Sequence, residues 1–146
     1  MKNLTTDQRG SIMLEFAICG ILFIGFVLGM VAMGLWIYNT SQVRQAARIA
    51  ALNVAVTDNP AEASDKALKH LSNTLVACPV KNAAAHSTGD TGYGMAEAQM
   101  NPLFPGFQRL IDPKGASTVN GKILIRKEAL TARAHRLRPE NRPLYN

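Results

Sequence analysis

The longest apolar run in the chain extends from Phe16 to Tyr38, and it constrains the fold because it contains no Asp, Glu, Lys or Arg. As a helix rising about 1.5 Å per residue, it would extend about 34 Å, which exceeds a bilayer core of about 30 Å. Glu15 lies immediately before the run. Because a charge at the mouth of a membrane helix is unfavourable, Glu15 is a candidate functional residue.

A short polar segment, residues 1–10, precedes the run and ends in Gly10. We interpret it as a leader that a membrane protease removes after this small, flexible residue. Cleavage would make Glu15 the fifth residue of the mature chain and expose an α-ammonium on Ser11. In a bundle of such helices, Glu15 and a neighbour's ammonium can pair, which makes both charges tolerable. The alternative is that Glu15 simply extends to the lipid headgroups.

The apolar run fits a retained membrane helix, residues 11–38, better than a removed signal peptide, whose apolar core has about 7 to 15 residues. It ends in Trp36 and Tyr38, side chains typical of the membrane–water interface. Gly25 and Gly29 form a GxxxG pair that allows close helix packing, although glycine is common in membrane helices generally.

The helix is predicted to continue beyond the apolar run, from about Ser11 to about Val56. Apolar residues recur on one face after Tyr38, at Val43, Ala46, Ala47, Ala50 and Val54. Residues 39–146 are sufficient for one small domain. The second half of the helix should therefore pack on that domain.

A second helix is predicted after Asn59, which can cap it, with Pro60 at the first position and Glu62 in capping-box position. It should end before Pro79. Its inward side chains should be Ala67, Leu68, Leu71 and Leu75.

Residues 82–95 are rich in Ala, Gly, Ser and Thr and predict a loop, followed by a short helical turn at 95–100. Asn120-Gly121 predicts a hairpin, with a strand at 123–125. Residues 128–137 fit either a helix or a second strand. The expected class is α+β: a long transmembrane helix, one further helix and a small C-terminal β element.

Nothing in the sequence points to catalysis. The three histidines, His70, His86 and His135, have no ligand spacing to Cys78, and no phosphate-binding glycine loop is present. Cys19 and Cys78 should lie at different depths, so a buried free thiol at Cys78 is expected rather than a disulfide between them. We therefore expect no enzyme activity, no metal and no cofactor.

The C-terminal third is basic, with nine Lys or Arg and three Asp or Glu in residues 109–142. This favours an alternative function, a membrane-tethered module that binds nucleic acid or anionic surfaces. Nucleic acid is the weaker expectation because base-stacking aromatic residues are not interleaved with the charges. A solvated surface is the simplest interpretation of the cluster, which comprises Arg126, Lys127, Arg133, Arg136, Arg138 and Arg142.

The junction resembles prepilin-like proteins, and residues 9–17 (RGSIMLEFA) are most similar to the RG-xxxx-EFA pattern of the TadE/TadG family. Residues 29–38 (GMVAMGLWIY) resemble that family's late-helix segment GxxEFGRxxY, with Ala32 and Leu35 in the places of its Glu and Arg. Residues 45–51 (QAARIAA) resemble its Ala/Arg-rich helix continuation. The resemblance covers about residues 9–52.

The resemblance implies a minor pseudopilin of a tight-adherence (Flp, type IVb) pilus system, cleaved between Gly10 and Ser11 and assembling through Glu15. It implies a single-pass inner-membrane protein with its N-terminus in the cytoplasm and its domain in the periplasm. Such a protein can also enter the pilus. The implied partners are a prepilin peptidase, other pilins or pseudopilins, the inner-membrane pilus machinery and membrane lipid. A third interpretation is a signal-anchor protein with no assembly role.

Overall fold

The computed structural model describes residues 7–132 and confirms the α+β class, with helices and one antiparallel sheet. The chain divides into two compact units, the first ending at Ile37 and the second beginning at Tyr38. The elements in chain order are α1 (Asp7–Thr57), α2 (Pro60–Thr74), β1 (Val80–Thr88), β2 (Thr91–Met100), α3 (Phe107–Ile111), β3 (Thr118–Val119) and β4 (Lys122–Ala132).

The long helix α1 begins four residues before its predicted start at Ser11 and ends one residue after its predicted end at Val56. In the second unit its predicted apolar face is confirmed, because all five side chains are fully buried: Val43, Ala46, Ala47, Ala50 and Val54. All five are alanine or valine on the same stripe of the helix, so a neighbouring backbone can approach closely.

The second helix, α2, begins as predicted. The Oδ1 atom of Asn59 accepts a hydrogen bond from the backbone N–H of Glu62 at 3.3 Å, and Pro60 occupies the first helical position. The side chain of Glu62 pairs instead with Lys66 at 2.7 Å. Of the four predicted inward residues, Ala67 and Leu71 are buried, whereas Leu68 and Leu75 are half-buried.

Two strands occupy the segment that the composition predicted to be a loop and a helical turn. The loop at 82–95 and the turn at 95–100 were wrong predictions, since β1 and β2 pair antiparallel from Val80–Gln99 to Thr88–Thr91. The buried positions of β2 alternate with half-buried ones and hold small residues or methionine: Gly92, Gly94, Ala96, Ala98 and Met100. A period of two is typical of a strand. Because the buried positions hold mainly small residues, composition alone predicted a loop.

Small residues are required in β2 because α1 lies against it. A Cβ atom at Gly92 would lie 2.4 Å from the carbonyl oxygen of Ala51, and one at Gly94 would lie 2.3 Å from that of Ala47. No real Cβ atom tolerates such distances from backbone atoms. The alanines of α1 and the glycines of β2 therefore bring the two backbones into close contact.

The C-terminal hairpin forms at the predicted Asn-Gly pair. Asn120 and Gly121 have φ angles of 50° and 73°, the left-handed pair that suits a two-residue turn between β3 and β4. The predicted strand at 123–125 belongs to β4, which continues to Ala132. Residues 128–132 are therefore strand, and the remainder of the 128–137 segment lies outside the described residues.

The sheet has the strand order β1-β2-β4-β3. Asn39 of α1 forms hydrogen bonds with the segment that connects α2 to β1. The fully buried amide of Asn39 donates to the carbonyl oxygen of Val76 at 2.8 Å and accepts from the backbone N–H of Val76 at 3.1 Å. Its Nδ2 atom also contacts the Met100 sulfur at 3.6 Å. One polar side chain thus satisfies both backbone groups of a residue that no strand or helix pairs.

Candidate functional site

The predicted cleavage point lies in the first turns of α1. The helix begins at Asp7, so the Gly10–Ser11 peptide bond has helical backbone on both sides. The first N–H groups of any helix have no partner within it, and glycine weakens a helix by about 1 kcal/mol relative to alanine. Unwinding at Gly10 is therefore easier than deeper in the helix.

No packing within the described chain explains the glycine at position 10. A Cβ atom placed there would have no atom within 4 Å among the described residues, and Gly10 and Ser11 are both exposed. Alanine would give a more stable helix start, so a requirement for glycine would have to come from outside the chain. A peptidase that needs a small residue at its cleavage point is such a requirement.

Glu15 is exposed on α1 and lies one helical turn beyond Ser11. Positions i and i+4 share a helix face, about 6 Å apart along the axis. Among the side chains that the structure describes, none forms an ion pair with Glu15. The carboxylate is therefore available to a cation from another molecule, or to the headgroup region of a membrane.

The first unit presents large apolar side chains in every direction around α1. Those of Phe16, Phe23 and Phe26 are 80%, 68% and 67% exposed. A helix that is apolar all round is stable in contact with lipid or other helices, but not in water. Within residues 7–132, α1 is the one helix long and apolar enough to cross a membrane, which fits a single-pass membrane protein.

Gly25 and Gly29 lie one turn apart in this unit, about 15 Å along the axis from Glu15 to Gly25. A Cβ atom at either glycine would meet nothing within 4 Å in the described part of the chain. The pair therefore leaves a shallow surface that a second helix can approach closely.

The two described histidines, His70 and His86, each lie beside a side chain of the second unit. In residues 7–132 no group of three His, Cys, Asp or Glu could hold a metal ion. The Nε2 atom of His70 lies 3.2 Å from the Gln42 side-chain oxygen, and the His86 ring lies 4.5 Å from that of Tyr93. His135 lies outside the described residues.

The two cysteines are free thiols in different settings, Cys19 exposed on α1 and Cys78 buried in the second unit. The expectation of a buried, unpaired Cys78 is confirmed. Burial raises the pKa of the Cys78 thiol, and the positive charge of Lys81 partly opposes this. A thiol with a raised pKa is a poor nucleophile at neutral pH.

Two of the six residues of the basic cluster, Arg126 and Lys127, lie in the described part of the chain. Arg126 contacts Glu97 at 3.5 Å and Glu128 at 3.2 Å, so acidic neighbours on the sheet already balance its charge. Lys127 is half-buried on the opposite face of β4. Four of the six residues lie outside the described part of the chain: Arg133, Arg136, Arg138 and Arg142.

The buried Asn39 and the close approach at Gly92 and Gly94 were not predicted from the sequence. The period-two alternation of small residues from Gly92 to Met100 was a signal for a buried strand face. Asn39, the first uncharged polar residue after the apolar run, carried no signal for burial, because its partners lie far along the chain.

Comparison with known proteins gives one finding that bears on this site. Residues 10–52 match the family model described as TadE-like protein. The matched range begins at Gly10 and includes Ser11, Glu15 and both helix glycines. A search of curated proteins and a search of solved structures each found no match.

Proposed function

We propose that this chain is a minor pseudopilin of a tight-adherence (Flp, type IVb) pilus system. The match of residues 10–52 to TadE-like proteins supports a role related to Tad pili. The observation that carries the finer proposal is the arrangement at the start of α1. The Gly10–Ser11 bond, the predicted cleavage point, lies one turn before the Glu15 carboxylate, which forms no ion pair with a described side chain, and an apolar helical segment follows.

In this proposal a prepilin peptidase removes residues 1–10 at the cytoplasmic face of the inner membrane. The new ammonium on Ser11 and the carboxylate of Glu15 then carry opposite charges at the head of an apolar helix. Burying either alone in a helix bundle is unfavourable, whereas pairing them between neighbouring chains offsets most of that loss. The pairing also fixes the axial position of one subunit against the next.

The rest of α1 supplies the contact surface of the assembly. Gly25 and Gly29 allow a neighbouring pilin or pseudopilin helix to approach closely, and the large apolar side chains contact lipid or other subunits. The second unit, from Tyr38 onward, then lies in the periplasm, where it contacts the pilus machinery or enters the filament with the helix.

The proposal is tested by Glu15→Ala in the native host, read as surface pili and as co-purification with the other pilus proteins. We expect the variant to insert in the membrane at the wild-type level and to lose about tenfold or more in assembly, because the ammonium on Ser11 then has no partner. Glu62→Ala is the matched control, since it removes an exposed carboxylate from α2. Unchanged piliation and co-purification in Glu15→Ala would contradict the proposal.

A further inference from the structure

One edge of the sheet is open along most of β4. On one side β4 pairs with β2 from Ile123 to Ala132, whereas on the other side β3 covers only Lys122 and Ile123. The backbone N–H of Leu124 adds one bond on that second side, to the carbonyl oxygen of Ser117 at 2.6 Å. Beyond Leu124, no strand among residues 7–132 pairs with this edge.

The free backbone groups of this edge can be assigned to particular residues. Alternate residues of a strand direct their N–H and C=O groups to the same side. The N–H of Leu124 points to the open side. The N–H and C=O groups of the alternate residues that follow therefore point to that side too: Arg126, Glu128, Leu130 and Ala132. In the described chain these groups have no backbone partner on that side. Such a row is a template for an added strand.

An open groove of about 380 Å³ lies beside this edge, between α1 and β4 of the second unit. Its floor and walls combine apolar and basic groups: Arg44, Arg48 and Leu52 from α1, with Glu128, Ala129, Leu130 and Thr131 from β4. Leu130 is 73% exposed and Leu52 is 51% exposed. Large exposed apolar groups beside unpaired backbone are a common property of docking surfaces.

The groove has an excess of positive charge. Arg44 and Arg48 are exposed one helical turn apart, and no carboxylate of the described residues lies within 4.0 Å of either. The one acidic residue of the groove, Glu128, is paired with Arg126 at 3.2 Å. An occupant with carboxylates therefore gains attraction, whereas a second copy of the same groove brings like charges together.

We propose that this groove binds an extended acidic segment of a partner protein, which adds to the sheet as a strand beside β4. The segment pairs with the free backbone groups of Glu128, Leu130 and Ala132. Its side chains alternate between the two faces of the sheet, so that carboxylates on the helix side reach Arg44 and Arg48. This docking site goes beyond the assembly role of α1 and does not depend on cleavage at Gly10.

The charge part of the proposal is tested with the full-length protein in nonionic detergent. The probe is a fluorescent peptide of about eight residues that alternates glutamate and valine, with binding read as fluorescence anisotropy. We expect Arg44→Glu with Arg48→Glu to weaken binding about tenfold or more. Arg109→Glu with Lys114→Glu is the matched control, because it makes the same charge change at exposed positions outside the groove, and it should change binding less than about twofold.

The strand part is tested by Leu130→Pro, which removes an N–H that faces the open edge and leaves the ladder to β2 intact. Leu130→Ala removes the same side chain but keeps the N–H. We expect the proline variant to bind the peptide about tenfold more weakly than the alanine variant. The circular dichroism spectra of the two variants should be the same, because both should keep the fold. The same peptide with proline at alternate positions should not bind.

Three results would overturn the proposal. The first is equal binding of a lysine–valine peptide, and the second is equal binding by the arginine double variant and its control. The third is a Leu130→Pro variant that binds like Leu130→Ala and loses only self-association, which would assign the edge to a second copy of this chain.

Discussion

Two glycine pairs in this chain serve opposite purposes. Gly92 and Gly94 face the backbone of α1 so closely that a Cβ atom would lie within 2.4 Å of a carbonyl oxygen. Gly25 and Gly29 face nothing within 4 Å in the described chain. The first pair completes packing within the second unit, whereas the second pair leaves space that the described residues do not fill.

The same contrast separates the two units of the chain. From Tyr38 onward, α1 buries a stripe of alanine and valine against its own domain. From Phe16 to Met33, its large apolar side chains are exposed. The first unit is therefore suited to contacts with lipid or other helices, and substitutions in the two units test this difference.

The largest effect is expected at Gly94. Gly94→Val places carbon atoms against the backbone of Ala47 and Ala51, neither of which can move without displacing α1. Overpacking typically destabilises by about 1–3 kcal/mol, and a clash with backbone belongs at or above the upper end. Urea unfolding followed by circular dichroism measures the loss. Wild-type stability would show that β2 does not approach α1 this closely.

Asn39→Leu should lower the free energy of unfolding by about 2 kcal/mol, because it leaves the N–H and C=O of Val76 without their side-chain partner. The same urea titration measures it. Asn73→Leu is a control of the same chemistry at an exposed position of α2, and it should change stability by less than about 0.5 kcal/mol. Equal effects of the two substitutions would contradict the assigned role of Asn39.

Gly25→Ile with Gly29→Ile should leave the unfolding of the second unit unchanged, because neither glycine contacts described residues. Association of the helix in membranes should fall several-fold, since the branched side chains prevent close approach. Crosslinking in native membranes measures the association, and Ile18→Val with Leu22→Val is a control within the same span. An unaltered crosslinking yield would remove the packing role of this pair.

The smallest effect concerns the Cys78 thiol. Because burial raises its pKa, the reactive thiolate is a smaller fraction at pH 8 than in the unfolded chain, and iodoacetamide should react more slowly with the folded protein. Alkylation in a Cys19→Ser background isolates this residue. As pH rises, the rate should increase later for the folded protein than for the urea-unfolded protein. Coincident pH profiles would contradict the burial of Cys78.

Local signals explain which elements the sequence could predict. The extent of α1, the Asn59 cap and the Asn120-Gly121 turn depend on residues within a few positions of one another, so their patterns were sufficient. The strands β1 and β2 were mistaken for a loop. The glycines of β2 are required by contact with α1, which lies more than 30 residues away along the chain, so no local pattern indicated them.

The candidate sites divide in the same way. Gly10, Ser11 and Glu15 lie within two turns of one helix, so their spacing was enough to predict the junction, which stays a prediction. The groove beside β4 could not be found from sequence, because it depends on which strand lies at the edge of the sheet. Arg44 and Leu130 are far apart in the chain and share a groove only once the sheet order is known.

The central claim is that α1 becomes an assembly element when residues 1–10 are removed. Mass spectrometry of the protein extracted from membranes of the native host tests it most directly. We predict a mature chain that begins at Ser11, and accumulation of the uncleaved chain when the prepilin peptidase is deleted. A chain that retains Met1–Gly10 in cells with an active peptidase would contradict the account.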